Sequence, residues 1–184
     1  LRHSGVTTPI RVMPHPALLD DVLHSHVPSD DNFIVLAMGD LKSSAARKNL
    51  VGAIEIYRRA FPSVARSTRL ILKIQSGDAH PKIRDAISTA ALGRGDIEIC
   101  AKKLSDEGVG RLIAGSSVLL SPHRSEGFGL VLAEAFLAGV PALATGWSGN
   151  MDFMSGVSEL LIASTLVPVR DPMRIYTSAG CEWA

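Results

Sequence analysis

The residues best suited to chemistry lie in one stretch, Ser125-Glu-Gly-Phe-Gly-Leu-Val-Leu-Ala-Glu-Ala135. Gly127 and Gly129 stand where a short apolar run gives way to a helical one. Glycine lets a backbone approach a ligand closely, and the first amides of a helix lack internal acceptors. Such a turn is suited to an anion. Glu134 follows in a segment that is apolar all round, Leu130-Val-Leu-Ala-Glu-Ala-Phe-Leu137, and is expected to be buried there. A buried carboxylate is costly without a partner. It needs either a neighbouring arginine or the hydroxyls of a ligand. Glu126 precedes the helix and can face the same cleft. A basic pair, Arg47-Lys48, lies just ahead of a helical run that begins at Leu50. Cations at a helix start oppose its dipole, so a merely solvated start accounts for them less well than an anion does.

The elements that position these residues alternate. Strands are expected at 33–38, 69–74, 96–100, 118–121 and 142–145, and helices at 50–61, 81–92, 105–114 and 129–137. Strands apolar throughout, each followed by a helix, imply an α/β fold: a Rossmann-like parallel sheet with helices on both faces. Ligands of such sheets bind beyond the carboxyl ends of the strands. The loops of interest are therefore 39–49, 75–80, 100–105, 122–129 and 145–152. Residues 1–31 hold four prolines and one candidate strand at 10–13, and read as a linker with a leading strand. Residues 32–184 read as the folded domain. The start at Leu1 and the end at Ala184 read as those of an excised domain.

Composition narrows the function. The 184 residues are 46% hydrophobic, 20% charged and 5% aromatic, with net charge +1. Mean hydropathy is +0.21. This is enough apolar material for a core. It gives no basic footprint for nucleic acid and no aromatic platform for bases. Nothing reaches the ~18 apolar residues of a membrane span. Two cysteines, Cys100 and Cys181, make neither a disulfide framework nor a zinc site, which fits a reducing compartment. The six histidines show no metal-ligand spacing. His123, beside the motif, is read as a loop histidine with a backbone partner.

Two other enzyme classes fit in part. Gly127-Phe-Gly-Leu-Val-Leu-Ala133 has the outline of an NAD(P)-binding Rossmann fingerprint. That fingerprint needs an acid about 20 residues on, and the next strand ends at Thr145-Gly-Trp-Ser148 without one. Gly146-Trp-Ser-Gly-Asn150 resembles a nucleophile elbow but has Asn150 where glycine is required. Ser148 is read as a loop hydrogen-bonder. A nucleotide-binding module with no activity alone also remains compatible.

Glu126 and Glu134, seven residues apart around Gly-Phe-Gly, resemble the E-x7-E motif of the retaining glycosyltransferases of family four, the group 1 transferases. Ser121-Pro-His-Arg-Ser-Glu-Gly-Phe-Gly-Leu130 is similar to the family's strand and donor loop. Ala138-Gly-Val-Pro-Ala-Leu-Ala-Thr145 is similar to its next strand. Thr145-Gly-Trp-Ser-Gly-Asn150 with Asp152-Phe153 is similar to its next donor-side loop. Gly39-Asp-Leu-Lys-Ser43 with Arg47-Lys-Asn49 is similar to its phosphate loop. The resemblance runs over residues 30–170 in the family's order.

It implies the C-terminal, donor-binding half of a two-domain GT-B enzyme of hexosyltransferase type, inactive without its N-terminal domain. Glu126, Gly127, Phe128, Gly129 and Leu130 would contact the donor sugar and its phosphates. Glu134 would bind the ribose. Lys48, helped by Arg47, would neutralise the leaving diphosphate. Glu126, Lys48 and Arg47 are the catalytic candidates; Gly39, Lys73, Gly127, Phe128, Gly129, Leu130 and Glu134 the donor-binding ones. Commoner members carry arginine where this chain has Asp40, so that role falls to Lys42, to Arg47, or to none. Lys73 either points into the donor cleft or snorkels at its strand's end. The resemblance implies no cofactor and no metal. The donor would be a UDP-, GDP- or ADP-linked sugar. The acceptor would be a glycan or lipid-linked molecule held by the N-terminal domain, in polysaccharide biosynthesis. The expected location is the cytoplasm, with peripheral contact at the inner membrane face allowed.

Overall fold

A computed structural model describes residues 5, 7–9, 11, 13–17, 32–176 and 180–184. Six strands form one parallel sheet: β1 (Phe33–Asp40), β2 (Thr68–Gln75), β3 (Ile97–Cys100), β4 (Val118–Ser121), β5 (Ala142–Thr145) and β6 (Leu161–Ile162). Their spatial order is β3-β2-β1-β4-β5-β6. Four longer helices cover the sheet: α2 (Leu50–Ala60), α3 (Pro81–Ala91), α4 (Asp106–Ala114) and α5 (Leu130–Leu137). Two single turns, α1 (Ala45–Lys48) and α6 (Met151–Met154), sit in the loops after β1 and β5.

The core has two layers because successive strand residues point to opposite faces. Val35, Ala37, Leu70, Leu72 and Ile74 pack under α2 and α3, against Ile54, Tyr57 and Ile87. Leu36 and Leu119 pack on the other face with Ile113, Leu132 and Ala135 of α4 and α5. The chain therefore leaves β1 toward one face and β4 toward the other. Those neighbouring strands are the switch point at which an open parallel sheet presents a crevice.

Local chemistry sets the boundaries. Ser105 caps α4 by accepting from the Gly108 amide at 3.2 Å. Pro81 begins α3, where its missing N–H costs nothing. All nine expected elements form, and most ends agree with expectation. β1 runs two residues further, to Asp40. β6, α1 and α6 were not expected; each is too short to show a period. The candidate strand at 10–13 lies partly outside the described residues: Ile10 and Val12 are not described, and Arg11 and Met13 belong to no regular element. Residues 18–31 also lie outside.

The tail forms a hairpin although its Pro-interrupted sequence lacks periodicity. β7 (Val167–Pro168) and β8 (Glu182–Trp183) pair antiparallel. Trp183 is buried, and the Ala184 amide donates to the Arg124 carbonyl at 2.9 Å.

At the opposite, amino-terminal edge of the sheet, Arg94 grips Asp96 through Nε (2.8 Å) and Nη2 (2.6 Å). Tyr57 of α2 donates to the same carboxylate at 2.9 Å. The Arg94 hydrogen bonds, aided by Tyr57 and opposed by burial, hold the Asp96 carboxyl down to about 2. The folded value lies below the ~3.9 of an unfolded aspartate. Its stabilisation is thus full above about pH 4 and is lost as pH falls toward the folded value. Asp96→Asn leaves Arg94 buried without its counter-charge and is expected to cost about 3 kcal/mol. Urea midpoints should show this loss at pH 7 and a weaker acid dependence between pH 4 and 2 in the variant.

Candidate functional site

The loop after β1 is wound tightly. Asp40 Oδ1 accepts from the Lys42 amide at 3.0 Å and starts a 3-10 turn, Leu41–Ser43. Asp40 is thus a cap, and Lys42 is exposed. Ser44 is fully buried in the left-handed region (φ 61°). Its Oγ accepts from the Arg47 amide and donates to Asp171 Oδ1 at 3.0 Å. Asn49 (φ 51°) then separates α1 from α2, and its side chain donates to the Pro122 carbonyl at 2.9 Å. Gly52 leaves the room this needs, since a Cβ there would lie 2.5 Å from Asn49 Nδ2. Arg47 and Lys48 consequently end the one-turn helix α1 instead of starting α2, where the local dipole favours them. Gly39 serves the same packing: a Cβ would meet Leu50 Cδ1 at 3.1 Å and Lys48 Cβ at 3.3 Å.

The loop after β4 meets this loop through Glu126. Lys48 Nζ lies 2.6 Å from Glu126 Oε2, and Arg47 Nη1 lies 3.2 Å from Oε1. Arg47 also donates to the carbonyls of Ser43 and Ser125 and to Ser43 Oγ. All three guanidinium nitrogens are therefore engaged. Burial pushes the Glu126 carboxyl up, but Lys48 and then Arg47 outweigh it and hold the group below its ordinary value. Glu126 is ionised at neutral pH and acts as an acceptor, not as an acid.

A third loop, after β5, clasps the backbone of Glu126. Ser148 Oγ accepts from the Glu126 amide at 2.9 Å and donates to its carbonyl. The Gly149 amide donates to that carbonyl at 3.0 Å. Ser148 is held at φ 88°. Its role as a loop hydrogen-bonder is the expected one. His123 is buried beneath the junction, with Nδ1 3.1 Å from Ser121 Oγ and Nε2 near the Trp147 carbonyl (3.3 Å) and Asn150 Oδ1 (3.1 Å). Two acceptors at Nε2 place the proton there, so Nδ1 accepts from Ser121. Burial lowers the pKa of His123, more than its Trp147 contact raises it.

Gly129 (φ 92°) closes the loop and accepts the first hydrogen bonds of α5, from Leu132 and Ala133. The amides of Leu130 and Val131 precede those bonds and face the loop. Gly127 is exposed. Phe128 stacks near Phe153 (5.2 Å between centroids) and His15 (6.2 Å).

Two adjoining cavities result. One, about 260 Å³, is lined by Lys48, Glu126, Phe128, Gly129 and Leu130, with His15 on its wall. The other, about 250 Å³, is lined by Gly39, Asp40, Arg47, Lys48, Lys73 and Lys103. Met38, Lys48 and Val131 border both. Of the ten candidate residues, nine line these cavities or, for Gly127, adjoin them. Glu134 lines neither: it lies one turn beyond Val131, half-buried rather than buried, on a helix that leaves Leu130 and Leu137 exposed. No arginine reaches it, and it has no hydrogen-bond partner among the described residues. Burial, and then Asp106, raise its pKa. Sequence reasoning missed His15, whose Pro-rich surroundings carry no pattern, and Asp171, whose tail lacks periodicity. Among the described residues no His, Cys, Asp and Glu group could hold a metal, and no helix is long and apolar enough to cross a membrane.

Residues 1–184 match in full the family described as Family 4 Glycosyltransferase in conflict systems, GT4-conflict. The chain belongs to that family. No curated protein matches it. Solved structures similar to this GT4-conflict chain are GT-B glycosyltransferases. An OtsA trehalose-6-phosphate synthase apo structure is 15% identical with TM-score 0.60, covering 73% of this chain and 33% of its own. A Burkholderia xenovorans UDP-forming trehalose-phosphate synthase in complex with glucose-6-phosphate is 16% identical with TM-score 0.60, over 72% and 33%. An E. coli trehalose-6-phosphate structure bound with UDP-2-fluoro glucose is 16% identical with TM-score 0.59, over 72% and 33%. At these identities the likeness is one of fold. The GT4-conflict chain spans about a third of the length of these structures.

Two measurements check the loop geometry. In Lys48→Met the burial of Glu126 is opposed by Arg47 alone, so its pKa should move up in a carboxyl-carbon NMR titration. A Cβ at Gly149 would collide with the Gly127 carbonyl oxygen. Gly149→Ala should therefore cost about 2 kcal/mol and lower Tm by several degrees.

Proposed function

We propose that this chain is the donor-binding part of a retaining glycosyltransferase that takes a nucleoside-diphosphate hexose. The observation that carries the reading is the junction of the loops after β1, β4 and β5 around Glu126. It brings an ionised carboxylate, a lysine and the start of α5 to one cavity. In the transfer, the bond from the anomeric carbon to the diphosphate oxygen breaks, and its electron pair stays on that oxygen. A new bond forms from the acceptor oxygen to the same face of the sugar, and the acceptor proton passes to the departing diphosphate oxygen. Negative charge grows on the diphosphate, and fixed cations and amides lower the barrier most when they already point at it. Lys48 and the amides of Leu130 and Val131 meet that need. Glu126 accepts from sugar hydroxyls once a phosphate competes for Lys48. Phe128 and Leu130 wall the sugar.

Glu134 has no side-chain hydrogen-bond or ion-pair partner among the described residues, and ribose hydroxyls reaching past Val131 would give it one. The donors bound by the structural neighbours support the class: UDP-2-fluoro glucose is bound in the E. coli structure. No cofactor or metal enters this scheme, since the donor brings the reacting group. The acceptor, a glycan or lipid-linked molecule, is presented by the other half of the GT-B arrangement. The family's description places its members in conflict systems.

Calorimetric titration of the chain with UDP, GDP and ADP tests the reading. One of them should bind, and Glu134→Gln should weaken it about 10-fold, the worth of one charge-assisted hydrogen bond. Because the pKa of Glu134 is raised, affinity should also fall as the solution is acidified through that value. Absence of binding by all three at millimolar concentration in a folded sample contradicts the reading.

A further inference from the structure

β2 carries Leu70, Leu72 and Ile74 on one face of the sheet and Ile71, Lys73 and Gln75 on the other. Lys73 is therefore a lysine in a core position. It is 5% exposed. Its neighbours in register are Met38 of β1 and Cys100 of β3. An ammonium has three donors, and Lys73 Nζ uses one, to the Ile74 carbonyl at 3.0 Å. No carboxylate pairs with it among the described residues. A buried cation in that condition is costly unless something else supplies the counter-charge.

The cavity it enters is rich in cations. Arg47, Lys48, Lys73 and Lys103 line it, and Asp40 is its only acid among the described residues. Asp40 caps the following turn, and Glu126 neutralises Lys48 and Arg47 from the adjoining cavity. Four of the five guanidinium N–H donors of Arg47 are committed, because it holds Ser43, Ser125 and Glu126 together. Lys103 lies on the loop that ends at α4, and it is exposed. Of these four cations, Lys73 alone is buried without a carboxylate partner among the described residues. Its strand fixes its base, so it meets an anion without first being ordered.

Resting on the donor reading above, we propose that Lys73 is the second cation of the diphosphate site. It acts beside Lys48, while Arg47 is mostly committed to holding the loops. Lys48 is shared by both cavities and stands between the sugar end and the Lys73 end. A diphosphate spanning that border meets one lysine on each side. A nucleoside monophosphate has one phosphoryl group and needs only one of them.

The test is titration of the chain and of Lys73→Met with the pairs UDP and UMP, GDP and GMP, ADP and AMP. The variant should lose at least ~10-fold in affinity for the preferred diphosphate and less than ~2-fold for its monophosphate. The empty variant should melt no lower than the parent, because an unpaired buried charge has been removed. Unchanged diphosphate affinity in Lys73→Met, with the parent binding normally, overturns the inference and leaves the donor reading standing. A parent that binds no nucleotide overturns both. If the variant does not fold, reductive methylation of the unaltered chain decides. Diphosphate should protect Lys73 more than monophosphate does, and equal labelling overturns the inference.

Discussion

One carboxylate holds the cleft together. Glu126 pairs with Lys48 and Arg47 from the loop after β1, while its own amide and carbonyl are clasped by Ser148 and Gly149 from the loop after β5. Three loops from three strands thus converge on one residue. An ion pair of this kind gives little by itself at a surface, but a half-buried one backed by the further hydrogen bonds of Arg47 fixes geometry. The fixed geometry is what matters here. It sets the direction of Arg47, places Lys48 between two cavities, and aims the first turn of α5.

The rest of the fold serves that junction. The order β3-β2-β1-β4-β5-β6 puts β1 beside β4 and sends their following helices to opposite faces. The crevice opens between them. Buried polar contacts steady it from below and behind. His123 ties Ser121 to the third loop, and Asp171 of the tail holds Ser44 at the back of the first. Asp171 also accepts from the amides of Met173, Ile175 and Tyr176. The tail is therefore fastened to the loop that carries Arg47 and Lys48.

Much of this was legible in the sequence. The strands of the sheet centre announced themselves as continuous apolar runs, because both their faces are covered. Ser105, Pro81 and Gly129 marked helix starts for reasons of hydrogen bonding and backbone freedom. Glu126 stood out because its spacing from Glu134 and the flanking glycines form a pattern. What stayed hidden has no local signature. α1 is a single turn, so Arg47 and Lys48 looked like the start of α2. The engagement of Arg47 depends on Ser125 and Glu126, about eighty positions away in the chain, and no neighbouring residue reveals it. Lys73 and its two alternatives could be separated only by seeing which cavity its strand face borders. Glu134 was expected to be buried because its helix is apolar, yet α5 leaves Leu130 and Leu137 in solvent and Glu134 half-covered. Hydrophobic composition fixed the helix but not how much of it the sheet covers.

The central claim is that a nucleoside diphosphate enters at the carboxyl edge of the sheet, between the loops joined by Glu126. Backbone amide chemical-shift mapping of the labelled chain during titration with UDP, GDP or ADP tests it most directly. The account predicts shifts concentrated at Gly39 to Lys48, at Lys73 and at Gly127 to Glu134, with the Arg94 and Asp96 edge unmoved. Shifts confined to the tail and the outer faces of α2 and α3, or no shifts with any of the three nucleotides, would contradict it.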